Sequence, residues 1–275
     1  MATEEQGFGT SLRWWRTTRR YSQLELAGVA EVSSRHLSFL ETGRSKPSRE
    51  MVVHLATVLD LPLRDRNELL HRAGFAPAYP HSDIDGPEMA DIRLVLSRIL
   101  AGHQPNPAVV VDRRGDLVDA NDAALSLLAA TVGSDSPALL PTINLSRLTL
   151  HPRGLRPCIR NWDAVAATVL LRLERETAHR PADTTLAELL DELRAFPGVS
   201  ALGRVSAMPT GADLLVPVDL VTLDGDQLRL VTTIATIGAP HDVTLDELRL
   251  ETFFPADEET RERLEAGLDL RTNVR

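Results

Sequence analysis

The feature that most constrains this chain is the run from Ser22 to Arg49, SQLELAGVAEVSSRHLSFLETGRSKPSR. Serines at 22, 33 and 48 each stand just ahead of apolar residues that recur at three- and four-residue spacing. A serine hydroxyl in that place accepts an N–H that a helix start leaves without a partner. From Phe8 to Ala73 nothing alternates with the period of a strand. The pattern predicts five helices: Phe8 to Thr18; one capped by Ser22 and reaching Val29; one capped by Ser33 and reaching Glu41; one capped by Ser48 and reaching Leu59; and one opened by Pro62 and reaching Ala73. Gly43 and Gly74 stand where a left-handed residue ends a helix.

Within the run, Ala27 is small enough to let two helices cross closely, and Leu26, Val32, Leu37 and Leu40 supply the apolar face that holds them. The helix begun by Ser33 can then turn Ser34, Arg35, Ser38 and Phe39 outward. Those side chains suit base edges in a major groove: arginine spans guanine O6 and N7, and an aromatic ring contacts the thymine methyl. Ser22 and Gln23 lie at a helix start, which suits a phosphate. The charge agrees. The chain carries a net −9, yet between Gly9 and Arg49 eight basic residues face three acidic ones, a local +5. Arg13, Arg16, Arg19, Arg44 and Arg49 surround the run and are the candidate phosphate contacts.

These residues resemble the helix-turn-helix family of phage repressors and xenobiotic-response-element-like bacterial regulators. The matching elements are Ser22-Gln23, Leu26-Ala27, Val32-Ser33, Glu41-Thr42-Gly43 and the segment Arg44 to Pro47, and the likeness covers about Gly9 to Ala73. Glu31 departs from it, standing where many members have the turn glycine. The resemblance implies a double-stranded DNA operator as partner, and because one helix-turn-helix unit reads only about one half-site, a homodimer is expected to hold two of them about one DNA turn apart.

The rest of the chain reads differently. Pro77 to Pro87, PAYPHSDIDGP, has no periodicity and reads as a connection. An amphipathic helix follows from Met89 to Leu100. Ala108 to Val111 and Leu117 to Ala120 read as two strands about a glycine turn, with Asn121 capping a helix to Leu128. Further helices are expected at Trp162 to Ala178 and Leu186 to Arg194, and a hairpin of Leu214 to Leu223 with Gln227 to Ile237 turns at Asp224-Gly225. Thr244 to Glu247 has the form of a capping box, and Phe253-Phe254-Pro255 precedes an acidic terminal helix. The divisions expected are residues 1–78, a link at 79–88, a second domain at 89–265 and a tail at 266–275.

The stretch Val109 to Leu128 resembles the opening of a PAS-type sensor domain. The two halves together resemble helix-turn-helix regulators with an MmyB-like ligand-binding domain, most clearly at Pro105 to Leu128 and around Asn161-Trp162. The fold class so implied is an N-terminal all-α five-helix helix-turn-helix domain followed by an α+β PAS-like domain. The implied ligand is a small apolar molecule such as a fatty acid. Val110, Leu125, Leu128, Trp162, Val165, Val169, Val216, Val218 and Leu230 are the apolar residues that suit a lipid tail, and they equally suit an ordinary core. Arg160, Arg172 and His179 are candidates to meet a carboxylate. A protein partner docking on the acidic second half is the alternative to a small molecule.

One cysteine, Cys158, excludes an intrachain disulfide, and the eight histidines lack metal-ligand spacing, so neither metal nor cofactor is expected. No G-x-S-x-G elbow, phosphate-cradling glycine loop or H-E-x-x-H pair points to an enzyme. The longest apolar stretch, Ala164 to Leu171, is far short of the roughly 18 residues that span a membrane, and the first ten residues do not read as a signal, so a cytoplasmic protein is expected.

Overall fold

The computed structural model describes residues 7–179, 183–202 and 216–267. The chain clusters into two compact units, one of Met1–Ile84 with Gly238–Asp246 and the other of Asp85–Ile237 with Glu247–Arg275.

The first unit holds five helices: α1 (Phe8–Thr18), α2 (Gln23–Val29), α3 (Ser34–Glu41), α4 (Arg49–Val58) and α5 (Leu63–Arg72). Their boundaries follow from the expected caps. Ser22 Oγ accepts from the Glu25 N–H at 3.1 Å while the Glu25 carboxylate accepts from the Ser22 N–H at 2.7 Å, and Ser33 and Ser48 accept from His36 and Met51. Leu12, Leu26, Leu37, Leu40, Leu55 and Leu70 form a core with no exposed surface. Gly9 is required where α1 meets α3, because a Cβ there would lie 2.5 Å from the Leu40 carbonyl oxygen.

Residues 238–246 fall within the 89–265 span read from sequence as the second domain, but they pack with the helical unit. The reason is a set of hydrogen bonds. Asp246 Oδ2 accepts from the Leu63 N–H at 2.9 Å, taking the place of the side-chain cap that Pro62 cannot give α5. The Val243 N–H donates to the Pro80 carbonyl, the Asp242 carboxylate accepts from the Ser82 N–H, and the Thr244 hydroxyl donates to the Ser82 carbonyl. The cap expected at Thr244 is therefore provided by Asp242, whose Oδ1 accepts from the Thr244 N–H at 2.7 Å. Burial pushes the Asp242 carboxyl up, and the hydrogen bonds from Ser82, Thr244 and Leu245 outweigh it and hold it below its usual range.

The second unit is built on a five-stranded antiparallel sheet in the order β2-β1-β5-β4-β3, from β1 (Ala108–Val111), β2 (Leu117–Ala120), β3 (Val218–Val221), β4 (Gln227–Thr236) and β5 (Arg249–Pro255). Helices α6 (Ala90–Gly102), α7 (Asp122–Thr131), α8 (Leu145–Leu150), α9 (Trp162–His179), α10 (Thr184–Ala195) and α12 (Glu258–Ala266) surround it, and α11 (Val243–Glu247) lies in the β4–β5 connection. The all-α unit followed by an α+β unit matches the expected fold class. Strand β5 was not anticipated, because its buried face carries Glu251 beside Phe253 and it ends on a proline. Leu214, with which the late hairpin was expected to begin, lies outside the described residues. Asn121, 5% exposed, caps α7 through Ala124, accepts from the Ala108 N–H, and donates to the carbonyls of Leu100 and Asn106. One side chain thereby fixes α6, β1 and α7 together.

Candidate nucleic-acid interface and second-unit core

The turn between α2 and α3 is tight. The Val32 N–H donates to the Ala27 carbonyl at 2.9 Å, and Glu31 holds φ +53°. That is a left-handed conformation that costs a non-glycine residue about 1–2 kcal/mol. His54 of α4 meets the Ala30 carbonyl at 2.8 Å and supports the turn from behind. Ala27 is 2% exposed, as a close helix crossing requires.

With Leu37 and Leu40 inward, α3 presents Ser34 and Arg35 fully outward and Ser38 and Phe39 half-exposed beside them. The Arg35 guanidinium lies 5.3 Å from the centre of the Phe39 ring, one helical turn along the same face. Ser33 is exposed at the helix start, and Arg44 and Arg49 are exposed after its end, the Arg44 N–H donating to the Phe39 carbonyl. Arg13 is 58% exposed on α1 and Ser22 is exposed at the start of α2.

Three expected phosphate contacts are committed elsewhere. Arg16 is 8% exposed. Its guanidinium donates to both oxygens of Glu41 at 2.6 and 3.1 Å and to the Tyr21 carbonyl at 2.8 Å, so Arg16 is a buried structural charge and not a phosphate ligand. Arg19 donates to the carbonyls of Leu59 and Asp60, which ties α1 to the end of α4. Gln23 turns its amide to Glu41 at 2.7 Å. Glu41 thus gathers α1, α2 and α3 about one carboxylate. Burial pushes this carboxyl up, but the hydrogen bonds from Arg16 and Gln23 and the charges of Arg16 and Arg13 outweigh it and leave it below the usual range. The sequence held Glu41 only as a motif letter, since a charge at the last position of an amphipathic helix ordinarily reads as solvated.

In the second unit, Trp162, Val165 and Leu230 are buried in one cluster, with Val169 and Val218 half-buried against it. Trp162 donates its indole N–H to the Thr149 carbonyl at 3.2 Å and carries the Arg156 guanidinium 3.9 Å above its ring. Leu128 packs in a separate cluster with Val132, Ala138 and Leu148, and Val110 is fully buried in the sheet. Leu125 and Val216 belong to neither, being 48% and 39% exposed, because α7 and the lead-in to β3 turn them outward. Arg160 donates to the Gln227 side chain, and the His179 side chain lies outside the described residues.

A cleft beside the cluster is lined by Val111, Leu173 and several charged groups, among them Arg114, Arg172, Arg249, Glu176 and Glu251. Arg172 is held by Glu251 at 3.0 Å and Arg249 by Glu176 at 2.7 Å. The Arg114 Nε is buried without a hydrogen-bond partner, Asp116 standing 3.9 Å away. Beside them Asp112 accepts from the N–H groups of Arg114 and Asp116, and burial pushes its carboxyl up. Burial likewise pushes up the Cys158 thiol, which donates to the Thr131 carbonyl. Among the described residues no group of acidic, histidine or cysteine side chains could hold a metal ion, and no helix is long and apolar enough to cross a membrane.

No curated protein matches the chain. Among solved structures it is similar to that of an RNA-binding Light-Oxygen-Voltage receptor, with 13% identity over 94% of this chain and a TM-score of 0.28, and it spans about 62% of that chain's length. A likeness that low carries no argument. Two family models match the chain. A helix-turn-helix domain covers residues 8–69, the segment whose α3 turns Arg35 outward, and an MmyB-like transcription regulator ligand binding domain covers residues 92–266. With most of its length in the second match and the first directly ahead of it, this chain belongs to the MmyB-like transcription regulators, DNA-binding proteins in which a helix-turn-helix unit precedes a ligand-binding domain.

Proposed function

We propose that the protein is a cytoplasmic, dimeric regulator without enzymatic activity, which reads an operator with α3 and answers to a small apolar ligand, such as a fatty acid, bound in a PAS-like second domain. The observation that carries the DNA half is the outward face of α3. Arg35 and Phe39 stand together there, with Ser34 and Ser38 beside them, on an otherwise well-buried helix. Exposed Arg13, Arg44 and Arg49, with Ser22 and Ser33, supply phosphate contacts around it. The apolar cluster about Trp162, Val165 and Leu230 supports the ligand half, and the cleft next to it is lined by Arg114, a part-exposed cation that suits an acidic headgroup.

A ligand changes operator affinity only by binding two arrangements of the protein unequally. Residues 238–246 favour such a link. They fall inside the ligand-binding-domain match yet pack in the helical unit through Asp242, Thr244 and Asp246.

The test is selection of bound sites from random DNA by the full-length protein, followed by titration of the selected site with and without palmitate. Arg35→Ala should cost roughly 1–3 kcal/mol and relax one base-pair position in each half-site. Palmitate should shift affinity by about 5- to 150-fold. An unchanged motif for the Arg35 variant would move readout away from α3, and an affinity indifferent to palmitate, with no lipid in native mass spectra of the purified chain, would sink the fatty-acid reading.

A further inference from the structure

Helix α6 has two apolar sides, and only one of them is used. Met89 just before it, with Leu96 and Leu100, is buried at 3%, 6% and 3% exposure. The opposite side carries Leu94, Val95 and Ile99, exposed at 49%, 49% and 37%, with Asp91 and Arg98 exposed along its centre line. Residues at these spacings share one face of a helix. An exposed apolar stripe this regular on a two-sided helix is a surface that expects a partner. Asp91 and Arg98 make no ion pair among the described residues, unlike most arginines of this unit.

The order of these residues identifies the partner. Asp91 and Arg98 are two helical turns apart, about 10 Å, and Leu94 and Val95 sit midway between them. When a second α6 is laid antiparallel across the first about a two-fold axis between positions 94 and 95, Asp91 comes opposite the partner's Arg98, and Arg98 opposite the partner's Asp91. Leu94 and the partner's Val95 then face each other, twice. A two-fold interface requires this reciprocity, in which i meets j and j meets i. A parallel pairing would set Asp91 on Asp91 and Arg98 on Arg98 and is repelled. Phe254 of β5, 37% exposed and 6.2 Å from the His103 ring just past the end of α6, extends the apolar area beyond the helix.

We propose that the outer face of α6 is the surface through which two copies of this chain associate, antiparallel, with Asp91 and Arg98 setting the register. The proposal rests on the dimeric reading given above and names its surface. The apolar part of the stripe is small beside the roughly 800 Å² per partner of a standard stable interface. The association should therefore depend on protein concentration, which leaves room for DNA to strengthen it.

The experiment is sedimentation equilibrium of the full chain over a wide concentration range. Leu94→Asp should raise the dimer dissociation constant by on the order of tenfold or more, the loss expected for a central apolar contact. Asp91→Arg and Arg98→Asp should each weaken the dimer alone. Mixed in equal amounts they should restore it, because every reversed charge then meets its opposite, and the double variant Asp91→Arg/Arg98→Asp should restore it too. A folding defect would not be repaired by mixing. If the wild-type chain dimerises and all of these variants dimerise equally well, α6 is not the surface although the dimeric reading stands. If the wild-type chain is a monomer at every concentration, with and without operator DNA, the dimeric reading itself fails.

Discussion

The two units handle buried charge in opposite ways. In the helical unit one carboxylate, Glu41, is wholly enclosed and is answered by Arg16, Gln23 and the more distant Arg13, all from helices within 30 residues of it. In the second unit the pairs are several and distant in sequence, and Arg172 with Glu251, Arg249 with Glu176 and Arg147 with Glu192 are each part-exposed, beside the more enclosed Arg113 with Asp183. A buried carboxylate with several donors locks one arrangement of helices, since any opening leaves charge in an apolar place. Pairs at a solvent-facing cleft contribute little each and can be exchanged for a ligand's charges at small cost. The first pattern suits a rigid reading head and the second suits a domain that responds.

The largest effect is expected at Glu41. Glu41→Gln leaves Arg16 buried without a counter-charge and should destabilise the helical unit by about 3–5 kcal/mol. Hydrogen exchange of α1 to α3 is the measurement, and a loss below about 1 kcal/mol would mean that the enclosure is not what holds these helices. Glu251→Gln, opposite an Arg172 that is 35% exposed, should cost only about 1 kcal/mol in the same assay applied to the second unit.

Acid sharpens the contrast, because two carboxyls of the two units shift in opposite directions. Glu41 is held below its unfolded value of about 4.3. Its stabilisation is therefore full above that pH and is lost as pH falls through the lower folded value. Asp112 is raised by burial, so its contribution is full below about 3.9 and is lost as pH rises through the raised folded value. Acid titration should loosen the helical unit while relieving this strain in the second, and Glu41→Gln should flatten the acid limb of the first alone.

Smaller effects probe the local geometry. Asp246→Ala removes the acceptor for the Leu63 N–H and should cost about 1 kcal/mol at the start of α5, the usual value of a lost cap. The same variant should weaken any ligand effect on DNA binding while leaving affinity for DNA without ligand nearly unchanged. Glu31→Gly should stabilise by a few tenths to about 1 kcal/mol, since relief of the left-handed strain exceeds the added chain entropy of glycine. A destabilised Glu31→Gly protein would show that the Glu31 side chain makes a contact worth more than the strain.

Much of the helical unit was legible because its determinants are short-range. Ser22, Ser33 and Ser48 each cap a helix that begins at the next residue, and the inward Leu26, Leu37 and Leu40 keep helical period. In the second unit the same held for β1, β2 and the Asn121-capped α7, which are neighbours in sequence. Strand β5 was not legible. It earns its place between β1 and β4 only when residues more than a hundred positions apart meet, and its Glu251 is tolerable in the sheet only because Arg172 reaches it.

Caps, helical period and turn residues act over a few positions, so the five helices, the outward face of α3 and the order of an all-α unit before an α+β unit all follow from local sequence. Long-range packing settles which of the arginines stay exposed and which are enclosed as structural charges. Arg13, Arg16 and Arg19 are indistinguishable in one basic stretch until α3 and α4 pack against it, after which Glu41 claims Arg16 and the carbonyls of Leu59 and Asp60 claim Arg19. It also decided that residues 238–246 pack in the helical unit, because Asp246 and Asp242 find their N–H partners only across some 160 to 183 positions of chain. A carboxylate's worth is set by the donors brought to it, and for these residues the donors are not their neighbours in sequence.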